Sequence, residues 1–274
     1  MAYIDAKVLE AAGFSDAISP RVASAVISIA GVEGSGKTTW ALSGPKPLLY
    51  QATDFGDQGV IQKAKGQIIP RSYKLDIPHD YRAFVDRTEN EADRKVREGR
   101  LANYVHEHFY VPFYDDFVKG IKMGIRCAVW DNAVDIWENV RLSVYGRVAT
   151  NRDDLKTEAN AKFREMVRLA NVHGIVLIMI QHLKPAFESY TAPDGQIKWR
   201  MNPNKMEMQG FDKAPFLVTS TIWTKQTGVV DGKPQFELEV RKCRDNAGLV
   251  GRSFPSMPFE DTMAMLVPSV ETWD

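Results

Sequence analysis

Gly31-Val32-Glu33-Gly34-Ser35-Gly36-Lys37-Thr38-Thr39, entered from the apolar run Ala25-Val26-Ile27-Ser28-Ile29-Ala30, decides the reading of this chain. The apolar run predicts a buried strand, and the glycine-rich segment after it predicts a phosphate-binding loop opening onto a helix. Backbone N–H groups in such a loop wrap an anion, and glycines let the chain bend through positive φ and approach closely. The following helix aims its positive end at the same charge. In that frame Lys37 reaches the β and γ phosphates of a nucleoside triphosphate, and the Thr38 hydroxyl ligates the Mg²⁺ that bridges them.

Outward from the loop, Thr38 to Ser43 predict a short helix that Gly44 and Pro45 end, and Pro47 to Ala52 predict the next strand. That strand runs into Thr53-Asp54-Phe55-Gly56-Asp57, a loop with two carboxylates. Strands alternating with helices call for a parallel sheet, whose ligands sit beyond the carboxyl ends of the strands; Asp54 is therefore expected near the nucleotide. Ile125-Arg126-Cys127-Ala128-Val129-Trp130 predicts a buried strand beside the phosphate-loop strand, ending in Asp131. A carboxylate there can hold Mg²⁺ directly or through water. Ile175 to Ile180, six apolar residues in a row, predict a strand buried on both faces, with Gln181 and His182 emerging at its carboxyl end. Gln181 is then positioned to sense the γ-phosphate or the attacking water, while His182 either shares that task or caps the sheet.

Ten of the fifteen residues from Asp86 to Arg100 are charged, with Glu91/Lys95 and Asp93/Arg97 at the i,i+4 spacing of an exposed helix. His106-Glu107-His108 lacks the spacing that sets two imidazoles on one helix face, which argues against a metal site. Phe113 to Met123 predict a helix, and so do Thr157 to His173, where Phe163, Met166, Val167 and Ala170 form one apolar face. From Leu183 to Lys213 a long polar stretch carries Lys184, Lys198, Trp199, Arg200, Lys205 and Lys213, with a hairpin around Asp194-Gly195. Basic residues interleaved with Tyr190 and Trp199 can track a nucleic-acid backbone and stack bases, or form a plain solvated hairpin. Phe216 to Thr224 and Gln235 to Val240 predict an antiparallel pair at the sheet edge around Asp231-Gly232, leading into Lys242 and Arg244.

The bulk numbers fit this reading. With 274 residues and 44% hydrophobic content the chain can bury the core of one large α/β domain. The expected architecture is a mainly parallel central sheet flanked by helices, with antiparallel edge strands near the C-terminus. The domain is expected over 22–252, after an N-terminal arm (1–21) and before a C-terminal tail (253–274). It would carry a charged helical insertion at about 80–110 and the basic loop or hairpin at 183–213. Thirty-five basic and 35 acidic residues exclude binding of nucleic acid through overall positive charge and leave a local basic strip open. No run is long enough to cross a membrane, the N-terminus does not read as a signal peptide, and two distant cysteines fit a reducing compartment; a soluble, cytoplasmic protein is expected.

In combination these residues resemble the RecA-type ATPase core over roughly 22–252. GVEGSGKTT is similar to the phosphate loop of bacterial recombinases, including the glutamate at its third position, Glu33. CAVWD resembles the family's magnesium-binding strand and IMIQH its sensor strand. Lys242 and Arg244 resemble the K-x-R element with which hexameric replicative helicases and RadA-like proteins complete a neighbouring subunit's site. The motif order and short length most resemble phage-encoded RecA-like ATPases of the Sak single-strand-annealing group. The resemblance implies ATP and Mg²⁺ as cofactors and single-stranded DNA as partner. It also implies a homo-oligomer, ring or filament, with Lys242 and Arg244 acting in trans, in a bacterial or phage-infected cytoplasm. The loop from Gly31 to Thr39 would bind nucleotide, with Lys37 among the catalytic groups. Asp54, one methylene shorter than the family's glutamate, would orient water unless Glu33 takes that role. Two rivals share the loop: a small-molecule P-loop kinase, and a nucleotide-gated assembly or loader protein with little turnover.

Overall fold

The computed structural model describes residues 24–53, 59–77, 90–146, 153–193, 195–211, 214–268 and 273. The N-terminal arm, Asp54, Asp57 and the first part of the charged segment lie outside the described residues.

Strand β1 (Val26–Gly31) is wholly buried, as its apolar run requires, and is followed by the short helix α1 (Lys37–Ala41). Next come β2 (Leu48–Ala52), β3 (Ile68–Ser72), α2 (Glu91–Val105), α3 (Val111–Lys122), β4 (Cys127–Asp131), α4 (Ala133–Tyr145) and α5 (Asp153–Val172). The chain continues through β5 (Val176–Thr191), β6 (Ile197–Met208), the single turn α6 (Ala214–Leu217), β7 (Ser220–Val230), β8 (Lys233–Cys243), β9 (Ser253–Pro255) and α7 (Phe259–Leu266). The sheet runs β3-β2-β4-β5-β1-β7-β8-β9, with β6 paired to β5 off this path. From β3 to β7 neighbours are parallel; β8, β9 and β6 are antiparallel to their partners. This is the mostly parallel, helix-flanked sheet with antiparallel strands toward the C-terminus that the sequence predicts.

One expectation about order fails. β4 does not lie beside β1, because β5 is inserted between them and pairs with both. The physical reason is in the composition of β5, whose first six residues are buried. A strand apolar on both faces is stabilised most at the centre of the sheet, where helices cover it on both sides.

Period-two alternation then sorts the parallel strands into two cores. Ala128 and Trp130 of β4, with Leu177 and Met179 of β5, meet Phe109, Phe113, Phe117 and Phe163 on one face. Val129, Ile178, Ile27 and Ile29 meet Trp40, Phe259, Met263 and Leu266 on the other. Two expected peripheral segments belong to these cores. Residues 91–122 form a continuous helical stretch, with a π-helical turn from His106 to Tyr110, that buries Leu101, Val105 and Phe109. It is part of the first core rather than an insertion on the outside. His106 and His108 stack on Tyr110 and Tyr104 along it. Likewise residues 253–266, expected as a tail, supply β9 and α7, and Phe259, Met263 and Leu266 close the second core.

Two smaller boundaries move. Phe216 and Leu217, expected in a strand, are in α6, and β7 begins only at Ser220. The expected hairpin after Gln181 is longer than its tip: β5 continues to Thr191 and β6 returns beside it over Ile197–Met208.

Candidate phosphate and cation site

The carboxyl ends of four parallel strands meet at one rim. Gly31 of β1 is level with His182 of β5, Ala30 with Gln181, and Ala52 of β2 with Asp131 of β4. The loop from Gly31 to Thr39 lies across this rim. Gly34 and Gly36 take φ of 73° and 84°, the left-handed region that only glycine adopts at no steric cost. Gly31 is constrained differently, by space. A Cβ there would stand 2.6 Å from the Thr224 hydroxyl and 2.7 Å from the Thr224 carbonyl oxygen. β7 thus forms the floor of the loop, and the Ser35 and Thr224 hydroxyls share a hydrogen bond of 2.7 Å. The Phe236 ring of β8 lies about 3.2 Å from the position a Cβ on Gly36 would occupy.

Lys37 is buried at the start of α1, and its ammonium donates to the carbonyls of Gly31 at 3.0 Å and Val32 at 2.7 Å. The Thr38 hydroxyl donates to Asp131 Oδ2 at 2.8 Å, joining two residues that sequence reading had assigned to the same cation. Tyr50 donates to that same oxygen at 2.7 Å. The main chain fixes the carboxylate further, since Thr53 N–H donates to the Asp131 carbonyl at 2.7 Å. The Asp131–Asn132 peptide is cis, and Asn132 caps α4 by accepting from Asp135 N–H at 2.8 Å. A hydroxyl and a carboxylate converging beside a lysine are a hard oxygen donor set of the kind that suits Mg²⁺.

Gln181 is buried, and its side-chain oxygen accepts from the Ser28 hydroxyl at 2.5 Å. The same hydroxyl reaches Met208 Sδ of β6 at 3.5 Å, so Gln181 stands where the rim joins the base of the hairpin. His182 is half-buried beside it. Val32 and Glu33 are exposed on the outer turn of the loop.

Lys242 and Arg244 are not brought to this rim. Lys242 is level with Thr221 and Ser28, three residues below the loop end on the register of β7 and β1. Its ammonium donates to the carbonyls of Pro215 and Val218, the latter at 2.8 Å. Burial, and then the neighbouring Arg244, pull its pKa below the usual lysine value. Arg244 is exposed just after β8.

The hairpin has two unlike faces. Phe187 faces Met201 across the strands, Ser189 faces Trp199 and Thr191 faces Ile197, so the large apolar side chains share one side. Ile197 is 73%, Trp199 68%, Phe187 58% and Met201 55% exposed. The other side pairs Glu188 with Arg200 and Tyr190 with Lys198. There Arg200 meets Glu188 at 2.8 Å and lies over the Tyr190 ring, while hydrogen bonds from Asn202 and then Arg200 hold the Glu188 carboxyl below its usual range. Lys184 pairs with Glu207 at 3.3 Å, and Lys205 is exposed. Trp199 is therefore separated from the cations that sequence reading had interleaved with it.

Sequence reading missed Tyr50, Thr224, Phe236 and Ser28. Only Tyr50 left a signal: a tyrosine hydroxyl in a buried parallel strand must find an acceptor, and the carboxylate ending the neighbouring strand is the nearest kind.

No family model matches the chain and no curated protein is similar to it. Among solved structures it is similar to a KaiC-like protein from the hyperthermophilic archaeon Pyrococcus horikoshii, with 10% identity, 84% of each chain covered and a TM-score of 0.40. It is also similar to the RadB recombinase, with 15% identity, 90% of this chain and 91% of that one covered, and a TM-score of 0.43. No helix among the described residues is long and apolar enough to cross a membrane.

Proposed function

We propose that this chain is a Mg²⁺-dependent ATP hydrolase of the RecA-like kind that assembles on single-stranded DNA and promotes annealing or recombination in a phage-type system. The observation that carries the reading is the convergence of Lys37, Thr38 and Asp131 at the rim, with Thr38 Oγ1 2.8 Å from Asp131 Oδ2. A triphosphate would draw the Lys37 ammonium from the loop carbonyls onto its β and γ oxygens, held by the amides of the loop through Thr39. Thr38 and Asp131 would hold Mg²⁺, which supplies neutralisation of the phosphate charge. Asp54 or Glu33 would orient the attacking water. Gln181, tied to Ser28 and next to the hairpin, would pass the state of the γ-phosphate outward. Lys242 and Arg244, remote from their own rim, would serve a neighbouring subunit as charge stabilisers.

For DNA, the apolar side of the hairpin offers Trp199 and Phe187 to bases, and the other side offers Lys198 and Arg200 to phosphates, with Lys184 and Lys205 along the same hairpin. The pairs Arg200–Glu188 and Lys184–Glu207 are exposed and screened by solvent, so phosphates can displace them. A second reading, nucleotide-gated assembly with little turnover, is favoured by the same apolar side, which suits a protein contact as well as a base.

Phosphate release and particle imaging, measured together with ATP and with or without single-stranded DNA, separate the readings. DNA-stimulated release that disappears in Asp131→Ala supports hydrolysis. Oligomers formed with a non-hydrolysable analogue, without release from ATP, support the second reading. Arg244→Ala should slow release by about 10³- to 10⁵-fold and spare nucleotide binding; an unchanged rate per subunit removes the trans assignment.

A further inference from the structure

Within the phosphate loop, Ser35 sends its two polar groups in different directions. Its N–H donates to the Val32 carbonyl at a long 3.3 Å, and the Lys37 ammonium donates to that same carbonyl at 2.7 Å. Two of the groups that a loop of this kind turns toward a phosphate thus meet one acceptor of the loop itself. The Ser35 hydroxyl instead shares its 2.7 Å hydrogen bond with the Thr224 hydroxyl of β7. Ser35 is 1% and Thr224 4% exposed, so the pair is sealed from water. Gly31 leaves the room for it, since a Cβ there would stand 2.3 Å from Ser35 Oγ.

Thr224 is held on both sides, level with Gly31 in the parallel ladder and opposite Leu238 in the antiparallel one. Two residues from Leu238 along β8, and so on the same face, the Phe236 ring lies against Gly36. One hairpin therefore braces two consecutive residues of the loop. These contacts decide which group of Ser35 can face an anion. A hydroxyl sealed from water and bonded to β7 is committed there, which leaves the N–H for the phosphate. Tied at its side chain, Ser35 can move that N–H from Val32 to a phosphate by pivoting about a fixed point. With the anchor removed, the buried hydroxyl has to find another acceptor, and the amide turns with it.

We infer that Thr224 is a positioning residue of the phosphate site, whose hydroxyl acts through Ser35 to keep the Ser35 N–H, and not the Ser35 hydroxyl, toward the phosphate chain. The inference rests on the reading of Gly31 to Thr39 as a triphosphate loop. It adds to that loop a residue 189 positions away that itself touches no phosphate.

ATP and inorganic tripolyphosphate are the probes, titrated by calorimetry into the full chain with Mg²⁺ at a temperature where every variant is folded. Thr224→Val keeps the branched shape and removes the hydroxyl, and it should weaken both probes about tenfold. Thr224→Ser restores a hydroxyl and should recover most of that loss. In a Ser35→Ala background, Thr224→Val should have no further effect, because the group it acts on is gone. Equal binding by the parent and Thr224→Val, an undiminished loss with Ser35→Ala present, or no recovery in Thr224→Ser would each overturn the inference. A loss confined to ATP would do so too, since tripolyphosphate has no base to misplace. A parent that binds neither probe would overturn the triphosphate reading itself, and the inference with it.

Discussion

The two halves of β5 are one strand in two environments. From Val176 to Gln181 it is buried in the sheet beside β1 and β4, and from Leu183 to Thr191 it leaves the body and pairs only with β6. The inner half is apolar at consecutive positions because helices cover both faces of the sheet. The outer half alternates, with Phe187 on one side and Glu188 on the other, because solvent reaches both. The same pleat therefore serves stability inside and, on the proposed reading, recognition outside. Gln181 and His182 mark the change, and they sit level with the end of the phosphate-loop strand.

That contrast can be broken by substitution. Ile178→Ala, at a fully buried position of the inner half, should destabilise the fold by about 2–5 kcal/mol in denaturant titration. A cost near zero would mean that β5 is not central. Gly31→Ala, at the rim, should cost about 1–3 kcal/mol, because the methyl group meets Thr224, and should weaken nucleotide binding with it. Tyr50→Phe removes one donor from Asp131 and should cost about 1 kcal/mol, together with a change in Mg²⁺ requirement that a purely structural tyrosine would not cause. Trp199→Ser, on the outer half, should stay within about 0.5 kcal/mol of the parent in stability. Its effect belongs in a binding assay, where loss of one stacking surface weakens single-strand affinity by about 1–3 kcal/mol. If Trp199→Ser lowers stability as much as Gly31→Ala does, the hairpin is part of the body and the contrast fails.

Much of the inner half was legible from residue order. The alternation of strands and helices, the apolar run ending in Gln181, the loop glycines, and the meeting of Thr38 with Asp131 all follow from local pattern, because backbone conformation and burial dictate those residue types. Strand order was less legible. Adjacency of β4 to β1 was a natural expectation from motif logic alone, and only the two-sided burial of β5 argues for its place between them. Contacts made across the sheet left almost no trace: nothing in Thr224 or Phe236 announces that they support Gly31 and Gly36. The faces of the hairpin were misjudged for a related reason. Lys198, Trp199 and Arg200 are neighbours in sequence, and a strand sends neighbours to opposite sides. Residues 253–266 were expected to form a tail, yet Phe259, Met263 and Leu266 are all buried.

The floor beneath the phosphate loop has a consequence for how the chain is made. Ser35 bonds to Thr224, Trp40 to Thr262 and the Ser43 hydroxyl to Phe259 N–H, contacts that span 189, 222 and 216 residues. Closing loops of that size is slow compared with local helix formation. During synthesis the glycine-rich segment leaves the ribosome early and waits for β7, β8 and α7 before it has a surface to rest on. On the proposed reading, competence to hold a nucleotide is therefore among the last properties the growing chain acquires, and a chain interrupted before Thr224 carries the motif in sequence but lacks its support.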